Sequence, residues 1–470
     1  MITSTLTKID DILYYPILLI VLIFAAVFFT SRTRFVQVRH FGESVRAVFD
    51  KSDEGSGLSS FQALMVSTAS RVGTGNIIGV STAICLGGAG SVFWMQLIAF
   101  LGASSAFMES TLAQIYKRKN KKTGECFGGP AYYIEYALHN KIVAGAFVAF
   151  LIATYAVGFN LLCSYNLQSS FEVYDFYDKS VTPYIVGAVM AVLVAVCLFG
   201  GGKRVVKTTE FLVPVMGVLY AGAALIVLFA HITNIPDVIR MIFEDAFDFD
   251  AIFGGIAGSC MIYGIKRGLY SNEAGVGSAP NASASANVSH PVKQGLVQML
   301  SVYIDTLILC TATAIMCLSS GIVPGEDISG APYVQNALST VFGDFGPIFI
   351  TISLALFAFT TLLGNLFYVD NGLAYLNGKR MPSQKYMRIY HLAASVIVFT
   401  GAIIPMDAAW ALADITMGGM TLINIPVCFI LSGTVALALK DYERQKKAGK
   451  DPVFKASDIG LDLKDSDYWQ

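Results

Sequence analysis

Charge is scarce in this sequence. Asp, Glu, Lys and Arg make up 14% of the 470 residues, against 55% hydrophobic ones, and one soluble core of this length would not bury so much apolar surface. The 32 Lys and Arg nearly balance the 33 Asp and Glu, so no basic excess points to a nucleic-acid partner. Histidine is rarer still. His40, His139, His231, His290 and His391 fall in loops or at the ends of apolar segments, without the paired spacing of metal ligands. The eight cysteines are scattered, mostly inside apolar segments, which suits neither a disulfide framework nor a zinc site. Gly200–Gly202 before Lys203 and Arg204 lacks the preceding strand and the spacing of a phosphate loop. No nucleophile–base pair or metal constellation is present, so the chain is not expected to be an enzyme. No basic leader precedes the first apolar run, Leu13–Thr30, which is long enough to span a bilayer and does not read as a cleavable signal.

What the sequence has instead is a series of long apolar segments. Eleven of them can cross about 30 Å of hydrocarbon: 13–30, 60–83, 88–116, 142–170, 183–200, 209–231, 252–275, 293–319, 345–373, 388–404 and 407–439. The expected fold class is an all-α polytopic membrane protein. With the N-terminus outside, 28 of the 32 Lys and Arg fall in inside segments, including 266–293 and 440–470. Outside loops keep Lys8, Lys179 and Arg240 together with eleven acids, among them Glu172, Asp237, Glu244 and Asp344. The positive-inside rule then places the C-terminus in the cytoplasm; the expected location is the plasma membrane. The polar tail from Lys440 is expected to be a solvated cytoplasmic segment.

The second segment breaks the pattern. Ser67–Val80 reads STASRVGTGNIIGV, placing an arginine, an asparagine and three glycines where a lipid-facing helix would be smooth. Gly73 and Gly75 each weaken a helix by about 1 kcal/mol relative to alanine. Non-helical backbone at membrane depth survives only where it lines a cavity or is buried in protein. An unwound stretch here would offer amide N–H groups to a carboxylate and carbonyls to a small cation. Close helix packing is the alternative, since Gly75 and Gly79 have Gly-x-x-x-Gly spacing. Segment seven, AIFGGIAGSCMIYGIKRGLYSNEAGVGSAP (251–280), supplies a second glycine-rich interruption. Counting from its start at 1.5 Å per residue puts the break between Gly258 and Gly268. Two such segments at corresponding places in two five-helix halves of opposite topology are the signature of an inverted-repeat secondary transporter.

The motifs RVGTGNIIGV (71–80), GGAGSVFWM (87–95), GIKRGLYSNEAGVGSAP (264–280) and FTTLLGN (359–365) resemble the alanine or glycine:cation symporter family, from about Arg32 to Lys440. The resemblance implies a leucine-transporter-like fold of five plus five helices, with one extra N-terminal helix. It divides the chain into 1–58 (N-terminal helix and amphipathic segment), 59–233 and 234–440 (the two repeats) and 441–470 (tail). It also implies sodium-coupled symport of a small neutral amino acid by alternating access, with Na⁺, the substrate and the lipid bilayer as partners and no required protein partner.

The family likeness assigns roles by position. The substrate carboxylate falls to the N–H groups around Thr74 and Gly75, with Gly73 giving close approach and Asn76 an amide. Gly258 and Gly264 belong to the second break. Sodium falls to the carbonyls of Ala69 and Val72, to Asn76, and to the hydroxyls of Thr360 and Thr361, although i−4 back-bonding within a helix is the alternative for the two threonines. The chain departs from the family pattern at Asn365 and Gln96, both tryptophan there, and at Cys163, glutamine there. Cys163, Thr361 and Asn365 are therefore counted with the substrate pocket. Asn365 adds space and an amide, and SRVGTGN (70–76) and ESTLAQ (109–114) are shared with a subgroup linked to glutamine, so glutamine stands beside alanine and glycine. Arg71, Glu109, Glu273, Asp305, Asp370 and Asp414 carry charge at membrane depth, at roughly 3 kcal/mol each unless paired. Arg71 could pair with Glu109 or Glu273, as a static ion pair or as part of a gate; Arg71, Asp305 or Asp370 would serve a proton-coupled carrier.

Overall fold

The computed structural model describes residues 2–50, 57–119, 126–248, 259–378, 380–404, 406–461 and 468–469. Among the described residues, seven helices are long and apolar enough to cross a membrane: α1 (Thr5–Arg32), α5 (Gly90–Ile115), α7 (Lys141–Ser169), α9 (Gly202–Ala230), α13 (Pro291–Ser319), α15 (Phe345–Leu376) and α17, of which Ala409–Ile430 qualifies within Met406–Ile430. Between them lie α2 (Phe41–Val48), α3 (Ser60–Arg71), α4 (Gly75–Gly87), α6 (Pro130–Leu138), α8 (Thr182–Leu198), α10 (Ile235–Ala246), α11 (Cys260–Asn272), α12 (Pro280–Ala284), α14 (Ala331–Phe342) and α16 (Gln384–Gly401). α18 (Ser432–Lys447) follows α17 after a break at Leu431. Arg118–Lys119 and Cys126–Phe127 pair as a short antiparallel ribbon.

Helix starts follow from local chemistry. Ser59 and Gln62 form a reciprocal capping box at α3, with both hydrogen bonds 3.1 Å long. Ser259 caps α11, and His290 Nδ1 accepts from the Val292 N–H at the head of α13. α5 is the centre of the packing, with α11 and α13 laid against it. Gly264 and Gly268 allow the first of these contacts: a Cβ on Gly264 would meet the Ser91 carbonyl and Trp94, and one on Gly268 would meet Ile98 and Met95. α8 and α9 sit at the periphery and expose Val189, Val192, Val196, Phe211, Val218 and Phe229, a surface suited to lipid.

Two expectations need correction. The tail is not simply solvated. Phe454 and Trp469 are buried, the Phe454 N–H donates to the Ser289 carbonyl (2.9 Å), and Trp469 Nε1 donates to the Gln114 carbonyl (2.7 Å). An aromatic residue loses too much free energy in water to ignore an apolar seat beside it. Lys266 and Arg267, expected at the end opposite the N-terminus, lie instead near the N-terminal end of the first span: Lys266 pairs with Asp10 of α1, and both pair with Asp414.

Candidate functional site

The break in the second apolar segment lies where the glycines place it. The Gly73 N–H, which an unbroken helix would direct to Ala69, donates to Asn76 Oδ1 (2.8 Å), and the Asn76 N–H turns to the Gly73 carbonyl (3.2 Å) rather than to Val72. The carbonyls of Ala69 and Val72 therefore lack the amide four residues on that a helix supplies. Beside them is Thr361 of α15. A Cβ on Gly73 would collide with its hydroxyl, and that hydroxyl is buried without a hydrogen-bond partner among the described residues. A buried unpartnered hydroxyl is costly, and a hard cation would satisfy it together with the two carbonyls. Thr360 points elsewhere: its hydroxyl bonds back to Leu356 and Phe357 of its own helix (3.0 and 3.1 Å).

The second break is four residues or more beyond its expected place. α11 runs unbroken through Gly264 and Gly268, and the chain leaves helical geometry at Glu273 (φ 53°), Gly275 (φ 87°) and Gly277 (φ 91°). Counting rise from the segment's start failed because the glycines inside α11 serve packing on α5, whereas those after it carry positive φ. Gly277 admits nothing larger, since a Cβ there would meet Phe147, Pro130 and Asn424 at 2.9–3.0 Å. Gly264 is thus taken up in the α5 contact, and Gly258 lies outside the described residues.

The two breaks meet. Gly75 packs on Tyr270 and Ser271 at the end of α11. Asp305 of α13 ties both sides, accepting from Asn76 Nδ2 (2.7 Å), Ser271 Oγ (2.8 Å) and Thr306 Oγ1 (2.7 Å). Glu273 does the same one layer away, with Ser70 Oγ at 3.1 Å and Ser278 Oγ at 2.6 Å. Thr74 accepts from Asn166 Nδ2 of α7 (2.9 Å), one turn beyond Cys163, whose Sγ donates to the Ala358 carbonyl (3.4 Å). Asn365 joins this group through Ser70, on the Glu273 layer: its Oδ1 accepts from Ser70 Oγ (2.7 Å) and its Nδ2 donates to Asn160 (3.0 Å). Asn160, Asn166, Ser70, Tyr270 and Ser271 escaped the motif reading. The two asparagines carried a signal, being uncharged amides inside an apolar segment, where polar side chains serve contacts between helices.

Arg71 forms no ion pair among the described residues. Its Nη1 donates to the Gln298 carbonyl (3.2 Å), while Nε and Nη2 have no protein partner. Glu109 instead accepts from Asn424 (2.8 Å). Asp414 pairs with Arg267 (3.0 Å) and Lys266 (3.3 Å). Asp370 lines a cavity of about 520 Å³ at the foot of α3, with Gln62, Lys207, Glu210 and Ser285 also on its wall.

Apolar helices long enough to span a bilayer, enclosing two interrupted helices whose loosened backbones face each other, define a multi-pass membrane carrier. The model of the sodium:alanine symporter family matches residues 1–456. A probable sodium/glutamine symporter, GlnT, of Bacillus subtilis is 41% identical over 95% of this chain and 91% of its own. The sodium/alanine symporter AgcS of Methanococcus maripaludis is 35% identical over 94% of this chain and 98% of its own. The crystal structure of MhsT in complex with L-phenylalanine shares the fold, with a TM-score of 0.59 and 15% identity over 83% of this chain and 93% of that one. The chain belongs to the sodium:alanine symporter family. It is a sodium-coupled amino-acid transporter and not an enzyme.

Proposed function

We propose that the protein takes up a small neutral amino acid, alanine or glycine, by symport with sodium and alternating access. The observation that carries this reading is the first break: Ala69 and Val72 carbonyls released from their helix, beside the unpartnered Thr361 hydroxyl. These three supply the sodium cage. Thr360, bonded to its own helix, would have to rotate to join it. The substrate carboxylate takes the N–H groups around Thr74 and Gly75, its flank formed by Cys163 and Asn166. Asn76 and Asp305 hold the two broken helices at that spacing, and Asn365 shapes the wall through Ser70 and Asn160. Eleven spans arranged as 59–233 and 234–440, inverted repeats behind an extra N-terminal helix, provide two bundles that can rock about this site. The cavity beside Asp370 is the route towards the cytoplasm. An outside N-terminus and cytoplasmic C-terminus in the plasma membrane agree with the remaining Lys and Arg bias.

Glutamine is the second reading, favoured by the similarity to GlnT at 41% identity. Proton coupling is the third; a sodium/proton-dependent alanine carrier of Bacillus strain PS3 is 40% identical over 89% of this chain, and Asp305 and Glu273 are buried carboxylates at the breaks. Uptake of labelled alanine, glycine and glutamine into proteoliposomes, with and without a sodium gradient, separates these. Accumulation that needs Na⁺ is expected. Accumulation driven by a pH gradient in sodium-free buffer would overturn the coupling assignment, and no uptake of any amino acid would overturn the substrate class.

A further inference from the structure

The C-terminal end of α1 closes with an arginine where glycine is usual. The Phe35 N–H donates to the Thr30 carbonyl (2.8 Å) and the Arg34 N–H to the Ser31 carbonyl (3.0 Å), the two bonds of a helix-ending turn whose left-handed position glycine ordinarily fills. Arg34 and Phe35 hold φ of 54° and 58° there, a conformation that costs a residue with a Cβ. Arg39 pins the turn: its Nε donates to the Arg34 carbonyl (2.6 Å) and its Nη2 to the Thr33 carbonyl (3.2 Å). The turn sets Arg34 on the wall of a groove of about 1120 Å³ between the end of α1, α18 and residues 458–459.

The charge of this groove is unbalanced. Of its three acids, Glu443 pairs with Arg39 (2.9 Å) and Asp441 with Arg444. Arg32, Arg34, Lys440 and Lys447 also line it, and among the described residues none of the four has an ion-pair partner. Of the lining acids only Asp458 is left to set against them. Four cations held together repel one another unless an anion joins them, and guanidinium and ammonium groups are the usual donors to phosphate oxygens. One side of the groove meets lipid. Arg32 ends a helix long enough to span a bilayer, and Leu437 on the wall, Phe35 in the turn and Ile430 at the end of α17 are exposed. A free phosphate would match only the cations; a phospholipid would match the apolar rim as well.

We propose that this groove binds the phosphodiester headgroup of an anionic phospholipid, phosphatidylglycerol being the simplest. The phosphate lies among Arg32, Arg34, Lys440 and Lys447, and the acyl chains run over Leu437 and Ile430. The bound lipid ties the end of α1 to α18, adding to the ion pair of Arg39 with Glu443. It also accounts for the left-handed Arg34, since glycine would close the turn without strain but would present no charge. The inference needs α1 to span the membrane and is independent of where sodium and the amino acid bind.

The test is a lipid titration of the delipidated full-length protein in detergent, read by native mass spectrometry, with phosphatidylglycerol against phosphatidylcholine of the same acyl chains. One phosphatidylglycerol per chain is expected to bind at concentrations where phosphatidylcholine does not. Arg34→Gln and Lys440→Gln should each weaken it about fivefold, the equivalent of roughly 1 kcal/mol per basic residue at an anionic surface. Lys385→Gln combined with Arg388→Gln, at two exposed basic residues of α16, should leave it unchanged. Arg34→Gly separates ligand from fold: it should melt no lower than the wild type in lipid-free detergent and still lose about fivefold in lipid affinity. Equal binding of the two lipids overturns the proposal, as does an Arg34→Gly protein with wild-type lipid affinity. An equal loss in the α16 pair would overturn it too, by making the attraction a property of the whole basic surface. So would displacement of the lipid by inorganic phosphate at the same concentration, because the cations alone would then suffice. If Arg34→Gln does not fold, Lys440→Gln combined with Lys447→Gln decides, with a loss of about 25-fold expected.

Discussion

Replacing Thr361 by valine removes one hydroxyl and keeps the shape of the side chain. The hydroxyl is buried, without a partner, against Gly73. An unsatisfied buried polar group costs about 1–3 kcal/mol, and an interaction with a charged group contributes about 1.5–3 kcal/mol. The two numbers act in opposite senses, so the sign of the effect depends on sodium. Without sodium, Thr361→Val should be as stable as the wild type or more so, since the unmatched group is gone. With sodium, the variant should lose about 1.5–3 kcal/mol of cation binding, a rise of roughly ten- to a hundredfold in the sodium concentration for half-maximal uptake, at 1.4 kcal/mol per factor of ten. The assays are thermal unfolding of the purified protein in NaCl against choline chloride, and sodium-dependent alanine uptake in proteoliposomes. Thr361→Val with an unchanged sodium requirement and unchanged sodium stabilisation would refute the cage, because the hydroxyl would then be an ordinary packing atom.

Asn365→Leu removes the donor that Asn160 Oδ1 accepts from, at about 1–3 kcal/mol for a buried group left unsatisfied, while Ser70 keeps Glu273; thermal stability should fall while the alanine-to-glutamine preference of uptake holds, and a changed preference would place the amide in the pocket. At the membrane surface, burial would raise Glu43, but Lys446 (2.6 Å) and the Tyr442 hydroxyl (2.8 Å) outweigh it and hold the carboxyl below its ordinary value. A depressed carboxylate stabilises the fold above its unfolded pKa and loses that contribution as pH falls through the folded one, so contact between α2 and α18 should weaken only in acid below the ordinary range of a glutamate carboxyl. A disulfide or spin-label pair across α2 and α18 reports this, and separation beginning near neutral pH would contradict it. Trp469→Ala removes a buried indole, a change of about 3–5 kcal/mol in well-packed settings, and should speed amide exchange at Phe454, which bonds Ser289; unchanged exchange there would mean the aromatic end does not anchor the tail.

The sequence by itself determined the class of protein and the place of the first break. Apolar segment length is a one-dimensional property, because each span must satisfy its backbone internally, and Gly73 and Gly75 act on their own segment. The Ala69 and Val72 carbonyls came from the family resemblance; the structure supplies their local reason, the loss of the helical bonds from Gly73 and Asn76. The second break was not readable from counting, since glycine serves close packing and positive φ alike, and only contact with α5 shows that Gly264 and Gly268 do the first. Tertiary structure alone decided that Thr361 and not Thr360 faces the break, that Asn365 turns to Ser70 and Asn160, and that Arg71 bonds α13 rather than an acid. It also carried Lys266 and Arg267 to Asp10 and Asp414. Side-chain direction and pairing depend on neighbours hundreds of residues away, and no local period in the chain encodes them.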